Sequence, residues 1–108
     1  MSALPEKFDN VTAVCKANIY FDGKVTSRTV IFPDGSKKTL GIMQIGEYTF
    51  NTGAKELMEI QSGRLELQLA GESTWRTIQG GEAFEVPANS SFTMQVGEVS
   101  DYICSFLP

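Results

Sequence analysis

The chain has 108 residues, 42% of them hydrophobic and 20% charged, with a formal net charge of −4 and no histidine. That size and balance describe one globular domain able to bury its own core. The acidic balance gives no footprint for a nucleic-acid polymer, and the missing histidine removes both histidine acid–base chemistry and any histidine-held metal.

Residues 1–10 read as a loose lead-in to a single domain over 11–108. No basic stretch followed by an apolar run appears in Met1–Phe8, and no segment is apolar for long enough to cross a bilayer as a helix. With only Cys15 and Cys104, a reduced pair in a cytoplasmic, membrane-free setting is expected.

From there the chain is a succession of short runs rich in β-branched and aromatic residues, punctuated by 10 Gly and 4 Pro. Val11–Tyr20 reads as a strand ended at Asp22-Gly23, and Val25–Phe32 as a second. Pro33-Asp34-Gly35-Ser36 is a turn, because Pro presets φ and Gly accepts a positive φ. Lys38–Met43 and Tyr48–Asn51 follow as strands, with a tight corner at Thr52-Gly53-Ala54. Glu56–Gln61 and Arg64–Leu69 read as a hairpin turning at Ser62-Gly63. Trp75–Ile78, Ala83–Val86, Phe92–Val96 and Tyr102–Leu107 complete about ten strands, with Trp75 expected to anchor packing. So many strands on so short a chain favour an all-β barrel or double sheet, since closure removes exposed edges.

Gly46 opens a strand, Glu56 precedes Gly63 by seven positions, and Gly81 precedes Pro87 by six. This spacing resembles the two characteristic stretches of the cupin barrel, the double-stranded β-helix or jelly roll. In cupins those stretches carry metal-binding histidines; the matching positions here are near Thr52 and Ala54 and at Phe92. The skeleton of Gly and Pro is kept, and the metal ligands are not.

Further strings add detail: Phe21-Asp22-Gly23-Lys24-Val25, Leu40-Gly41-Ile42-Met43, Gly46-Glu47-Tyr48-Thr49-Phe50, Met58-Glu59-Ile60-Gln61-Ser62-Gly63, Phe84-Glu85-Val86-Pro87 and Tyr102-Ile103-Cys104. In this order they resemble the bacterial pyrimidine/purine nucleoside phosphorylase family, small single-domain cupins, over about residues 11–107. The resemblance implies that a nucleoside and inorganic phosphate give free base and ribose 1-phosphate, with broad tolerance of the base. It implies no cofactor, with phosphate as co-substrate. It also raises Lys37 and Lys38 as phosphate ligands, because some relatives carry an Arg in this loop.

The chemistry asks for an anion site, a ribose clamp and room for a base, and it works by positioning and electrostatics. Glu56 is the catalytic candidate, since a carboxylate facing the lumen can hold ribose hydroxyls and oppose the charge of a ribosyl cation. Lys37, Lys38 and Arg28 are the candidate phosphate ligands, although a loop lysine or a mid-strand arginine is ordinarily solvated. Arg64 and Arg76 read as surface charge. Tyr48, Phe50, Phe84, Phe92 and Tyr102 are expected in the lumen, where an aromatic wall would accept any base. Met43, Met58 and Met94 would line it or pack the core, and Cys104 reads as a small buried hydrophobe. A non-catalytic cupin binding a small anionic metabolite is the alternative. Analogy with the fold leads to an expected homodimer.

Overall fold

The computed structural model describes residues 4–108, and nine strands account for most of them: β1 Thr12–Ala13, β2 Asn18–Tyr20, β3 Val25–Ile31, β4 Lys37–Met43, β5 Gly46–Asn51, β6 Lys55–Leu69, β7 Arg76–Gln79, β8 Glu82–Val86 and β9 Ser91–Leu107. Every pairing is antiparallel. The fold is all-β, as expected. The hydrogen-bonded network has free edges, so the layers form a jelly-roll sandwich that does not close into a barrel.

Two long strands organise the molecule. The first half of β6 pairs with β8 and with the last part of β9; its second half pairs with β7 and with the first part of β9. A larger half-sheet thus runs β1/β2, β3, β4, β9, β6, β8, and a smaller one runs β5, β9, β6, β7. The two halves face each other across one core. Met43, Ile60 and Val86 come from the larger half, and Leu65, Leu67 and Met94 from the smaller; all are fully buried.

Two differences from the sequence reading share one cause. Ser62-Gly63 is not a hairpin turn: β6 continues through it, with register shifts between Ile60 and Leu65. Gly63 takes φ +98°, and a Cβ there would come within 2.6 Å of the Val99 carbonyl oxygen. Glycine marks a bulge that bends the strand from one half-sheet to the other, against the backbone of β9. Likewise Phe92–Val96 and Tyr102–Leu107 are the two ends of one strand, β9. In the other direction, the expected strand Val11–Tyr20 is broken into β1 and β2. Trp75 lies outside the strands and is 38% exposed, so it does not anchor the core.

The Pro33–Ser36 turn forms as its residues dictate. Gly35 has φ +88°, and Asp34 Oδ1 accepts hydrogen bonds from the Ser36 amide at 2.8 Å and the Ser36 hydroxyl at 2.6 Å. These bonds hold the Asp34 carboxyl below its ordinary value. Residues 4–10 carry neither helix nor strand. They cross the outer face of the larger half-sheet, where Gln61 donates to the Pro5 carbonyl at 2.9 Å and the Phe8 ring meets Phe32 edge-on at 5.2 Å. Met1–Ala3 of the expected lead-in lie outside the described residues.

Candidate functional site

A cavity of about 190 Å³, open to solvent, lies between the two half-sheets. Strand periodicity builds it. On the larger half-sheet, alternate residues of neighbouring strands fall into register: Ser27, Gly41 and Tyr102 form one row; Thr39, Cys104 and Met58 the next; Phe106 and Glu56 the outermost. Phe50, Phe92 and Met94 close the cavity from the smaller half-sheet.

Among the described residues, Glu56 is the one charged side chain lining this space. Burial raises its carboxyl above the ordinary value, and a hydrogen bond from the Cys104 thiol, 3.5 Å from Glu56 Oε1, partly offsets the rise. Cys104 itself is pushed up, first by burial and then by the Glu56 charge, so it stays a neutral thiol. The Tyr102 phenol is also pushed up by burial and stays neutral. Its ring lies against the backbone of β4 at Gly41, which has no side chain to exclude it. A Cβ on Gly41 would approach Tyr102 Cζ to 2.6 Å and collide with the Thr26 carbonyl oxygen. The Tyr102 hydroxyl faces that same oxygen at 3.5 Å.

Four of the residues singled out from the sequence meet here: Glu56, Phe50, Phe92 and Tyr102. Phe50 and Phe92 stack at 5.9 Å, and Phe84 meets Phe92 edge-on at 6.1 Å. Tyr48, Phe84, Lys37, Lys38 and Arg28 do not line the cavity, and Phe84 packs in the core behind Phe92. Tyr48 is a core residue whose hydroxyl donates to the Gln44 carbonyl at 2.8 Å. Lys38 has the opposite parity to Thr39. Its ammonium lies on the outer face, 5.2 Å from the centre of the Phe8 ring and 5.7 Å from that of Phe32. Arg28 alternates with the buried Ser27 and donates to the Cys15 carbonyl. Lys37 is exposed but shares the side of β4 that Thr39 occupies. The β4–β9 ladder ends with Lys38 opposite Ser105, so Lys37 lies just beyond it, at the end of the cavity where Phe106 is opposite Glu56.

Tyr20, Ser27, Thr39, Asn51 and Phe106 also line the cavity and were not singled out from the sequence. Ser27 and Thr39 could have been found by parity, since each is the small polar neighbour of a cation that had to face outward. Met43, Met58 and Met94 line the cavity as well. At the positions where cupins carry histidine, Thr52 ties two loops together. Its hydroxyl donates to the Pro87 carbonyl at 2.7 Å and accepts from the Ser90 amide at 2.9 Å. Among the described residues, no three His, Cys, Asp or Glu side chains gather around a point that could hold an ion. No helix among them is long and apolar enough to cross a membrane.

Comparison with known proteins places this geometry. The chain is similar to a cupin of the RmlC type from Shewanella frigidimarina, with a TM-score of 0.67 at 12% identity over 98% of this chain and 93% of that one, which supports the fold alone. A protein of unknown function from Acinetobacter sp. ADP1 superposes with a TM-score of 0.90 at 41% identity, covering 94% of this chain and 98% of that one. Proteins named pyrimidine/purine nucleoside phosphorylase from Trichlorobacter lovleyi and Geobacter sulfurreducens are 73% and 65% identical over 101 residues, 94% of this chain and 97% of each of theirs. The family model described as pyrimidine/purine nucleoside phosphorylase matches residues 15–106. The chain therefore belongs to the pyrimidine/purine nucleoside phosphorylase family.

Proposed function

We propose that this chain catalyses the phosphate-dependent cleavage of purine and pyrimidine nucleosides to free base and ribose 1-phosphate, without a metal or cofactor. The observation that carries the reading is Glu56, a single half-buried carboxyl in a cavity otherwise walled by aromatic rings, methionines and small polar groups. Such a wall accepts the flat face of any base. The carboxylate accepts hydrogen bonds from ribose hydroxyls and opposes the positive charge that builds at C1′.

In the reaction the C1′–N bond breaks and its electron pair stays on the base nitrogen, which takes up a proton from solvent or phosphate. A phosphate oxygen then closes on C1′. Among the described residues, the cavity lining holds no lysine or arginine. Phosphate therefore has to meet its cation at the edge, and Lys37, on the same side of β4 as Thr39, is the candidate that strand parity favours. Lys38 and Arg28 are turned to the outer face and already have partners. Ser27, Thr39 and Asn51 supply neutral hydrogen-bonding groups that do not compete with the ribosyl charge.

The outer face also offers a surface for a homodimer. Ile19, Leu40 and Ile42 are exposed there, with Arg28 and Asp101 around them, so a two-fold axis would bring opposite charges together at the rim of an apolar patch. A monomer mass by light scattering overturns this.

The decisive assay incubates adenosine and uridine with the protein, with and without phosphate, and measures base by chromatography. Release of both bases only with phosphate is expected. Release independent of phosphate, or binding without release, overturns the proposal. Binding without release would point to a non-catalytic cupin that takes up small metabolites.

A further inference from the structure

Consecutive residues of a strand point to opposite faces. Tyr20, the last residue of β2, and Phe21 break that rule, since both rings rest on Phe50. Tyr20 meets it edge-on at 5.6 Å and Phe21 at 5.3 Å, while Phe21 also leans on Tyr48 at 5.0 Å. The backbone explains how. Phe21, Asp22 and Gly23 take φ of +52°, +57° and +91°, three left-handed residues in a row, of which only the last is glycine. An aromatic residue in that region is strained, and strain of this kind persists where something else is gained from it. Burial is not the gain, because Tyr20 and Phe21 remain 42% and 43% exposed. Their placement is: Tyr20 lines the same cavity as Glu56 and Phe50.

We infer that this strained turn sets Tyr20 as an aromatic wall at the cavity mouth, against which the nucleobase packs. Tyr20 determines base affinity, and Phe21 is a positioning residue that holds the turn by packing on Tyr48 and Phe50. The inference rests on the phosphorylase reading, but it concerns where the base lies. A stacking wall has no hydrogen-bond code, so it favours the larger π-face of a purine over a pyrimidine without excluding either.

The test compares wild type with Tyr20→Ala, Tyr20→Leu and Tyr20→Phe. Tyr20 is half-exposed at the end of a three-residue strand, and Tyr20→Leu keeps its apolar bulk in case the alanine variant unfolds. Both Ala and Leu should raise the adenosine KM about tenfold, the uridine KM less, and leave kcat and the phosphate KM near wild type, as loss of uniform binding does. Tyr20→Phe should stay within about twofold, because the ring is retained. Phe21→Ala should shift the adenosine KM in the same direction, and Phe21→Tyr should restore it. A nucleoside KM unchanged in both Tyr20→Ala and Tyr20→Leu of an active enzyme overturns the wall and leaves the phosphorylase reading intact. If wild type releases no base, that reading fails separately. Calorimetric titration with adenosine then decides the wall: weaker binding by Tyr20→Leu supports it, and unchanged or absent binding overturns it.

Discussion

The cavity face and the outer face of the larger half-sheet are made from alternate residues of the same strands, yet they use charge in opposite ways. The outer face carries Arg28, Lys38 and Asp101. Its cations are met by a backbone carbonyl and by two aromatic rings, and the leading segment lies across it. The cavity face carries one carboxyl, Glu56, whose hydrogen-bonding neighbour is a thiol. A charge with ready partners on a wet surface contributes little to stability. A carboxyl that burial drives toward neutrality is costly to keep, and groups of that kind concentrate at functional sites. One step along the chain, from Thr39 to Lys38 or from Ser27 to Arg28, moves a side chain between these two regimes.

The sharpest way to break this contrast is at Glu56 itself. Glu56→Gln keeps the shape and removes the charge, and it should lower kcat/KM for phosphorolysis by roughly 10²–10³-fold, the effect typical of losing one transition-state electrostatic contact. An activity within threefold of wild type would show that the buried carboxyl is incidental. Next in size is Gly41→Ala. The added methyl has no room beside Tyr102 and the Thr26 carbonyl oxygen, so a loss of about 1–3 kcal/mol in urea unfolding is expected, together with reduced turnover.

The two adjacent lysines then test parity directly. Lys37→Ala should raise the phosphate KM about tenfold, as the loss of one charge-assisted contact would. Lys38→Ala should leave that KM unchanged and cost about 0.5–1 kcal/mol of stability, from the lost packing of its ammonium on Phe8 and Phe32. The reverse pattern would mean that the outer face binds phosphate.

The smallest effect is in pH dependence. Because burial raises the folded-state value of Glu56, the folded chain holds that proton more tightly than the unfolded one. The corresponding stability is present in full in acid, below the ordinary glutamate value of 4.5, and is lost as pH rises through the raised folded-state value. Glu56→Gln cannot ionise. It should match wild type in thermal melts in acid and melt higher than wild type at neutral pH. Activity of the wild type, if it needs the ionised carboxyl, should decline on acidification before the pH reaches the ordinary glutamate range.

Much of this was legible in the sequence. Period-two runs of β-branched and aromatic residues between Gly and Pro mark the strands, the spacing from Glu56 to Gly63 and from Gly81 to Pro87 points to the jelly roll, and Glu56, Phe50, Phe92 and Tyr102 do share one cavity. What misled was punctuation. Ser62-Gly63 has the composition of a turn, but Gly63 serves a bend inside a continuous strand, where its missing side chain makes room for β9. A local signal cannot tell a reversal from a bulge, because both need the same left-handed φ. Tyr20 stayed hidden for a related reason: period-two reasoning stops where the backbone turns left-handed, which happens at Phe21.

The passage of β6 and β9 through both half-sheets bears on how the chain folds. Neither layer is a stretch of sequence that can form by itself, since each borrows half of two strands whose ladder runs from Leu69 opposite Phe92 out to Lys55 opposite Leu107. Closing those distant pairings precedes most of their reward, which makes for slow folding dominated by non-local contacts. The same sharing ties the layers together afterwards. Amide exchange in the middle of β6 and β9 should proceed through opening of the whole molecule, on either side of the bend, with one free energy for both halves.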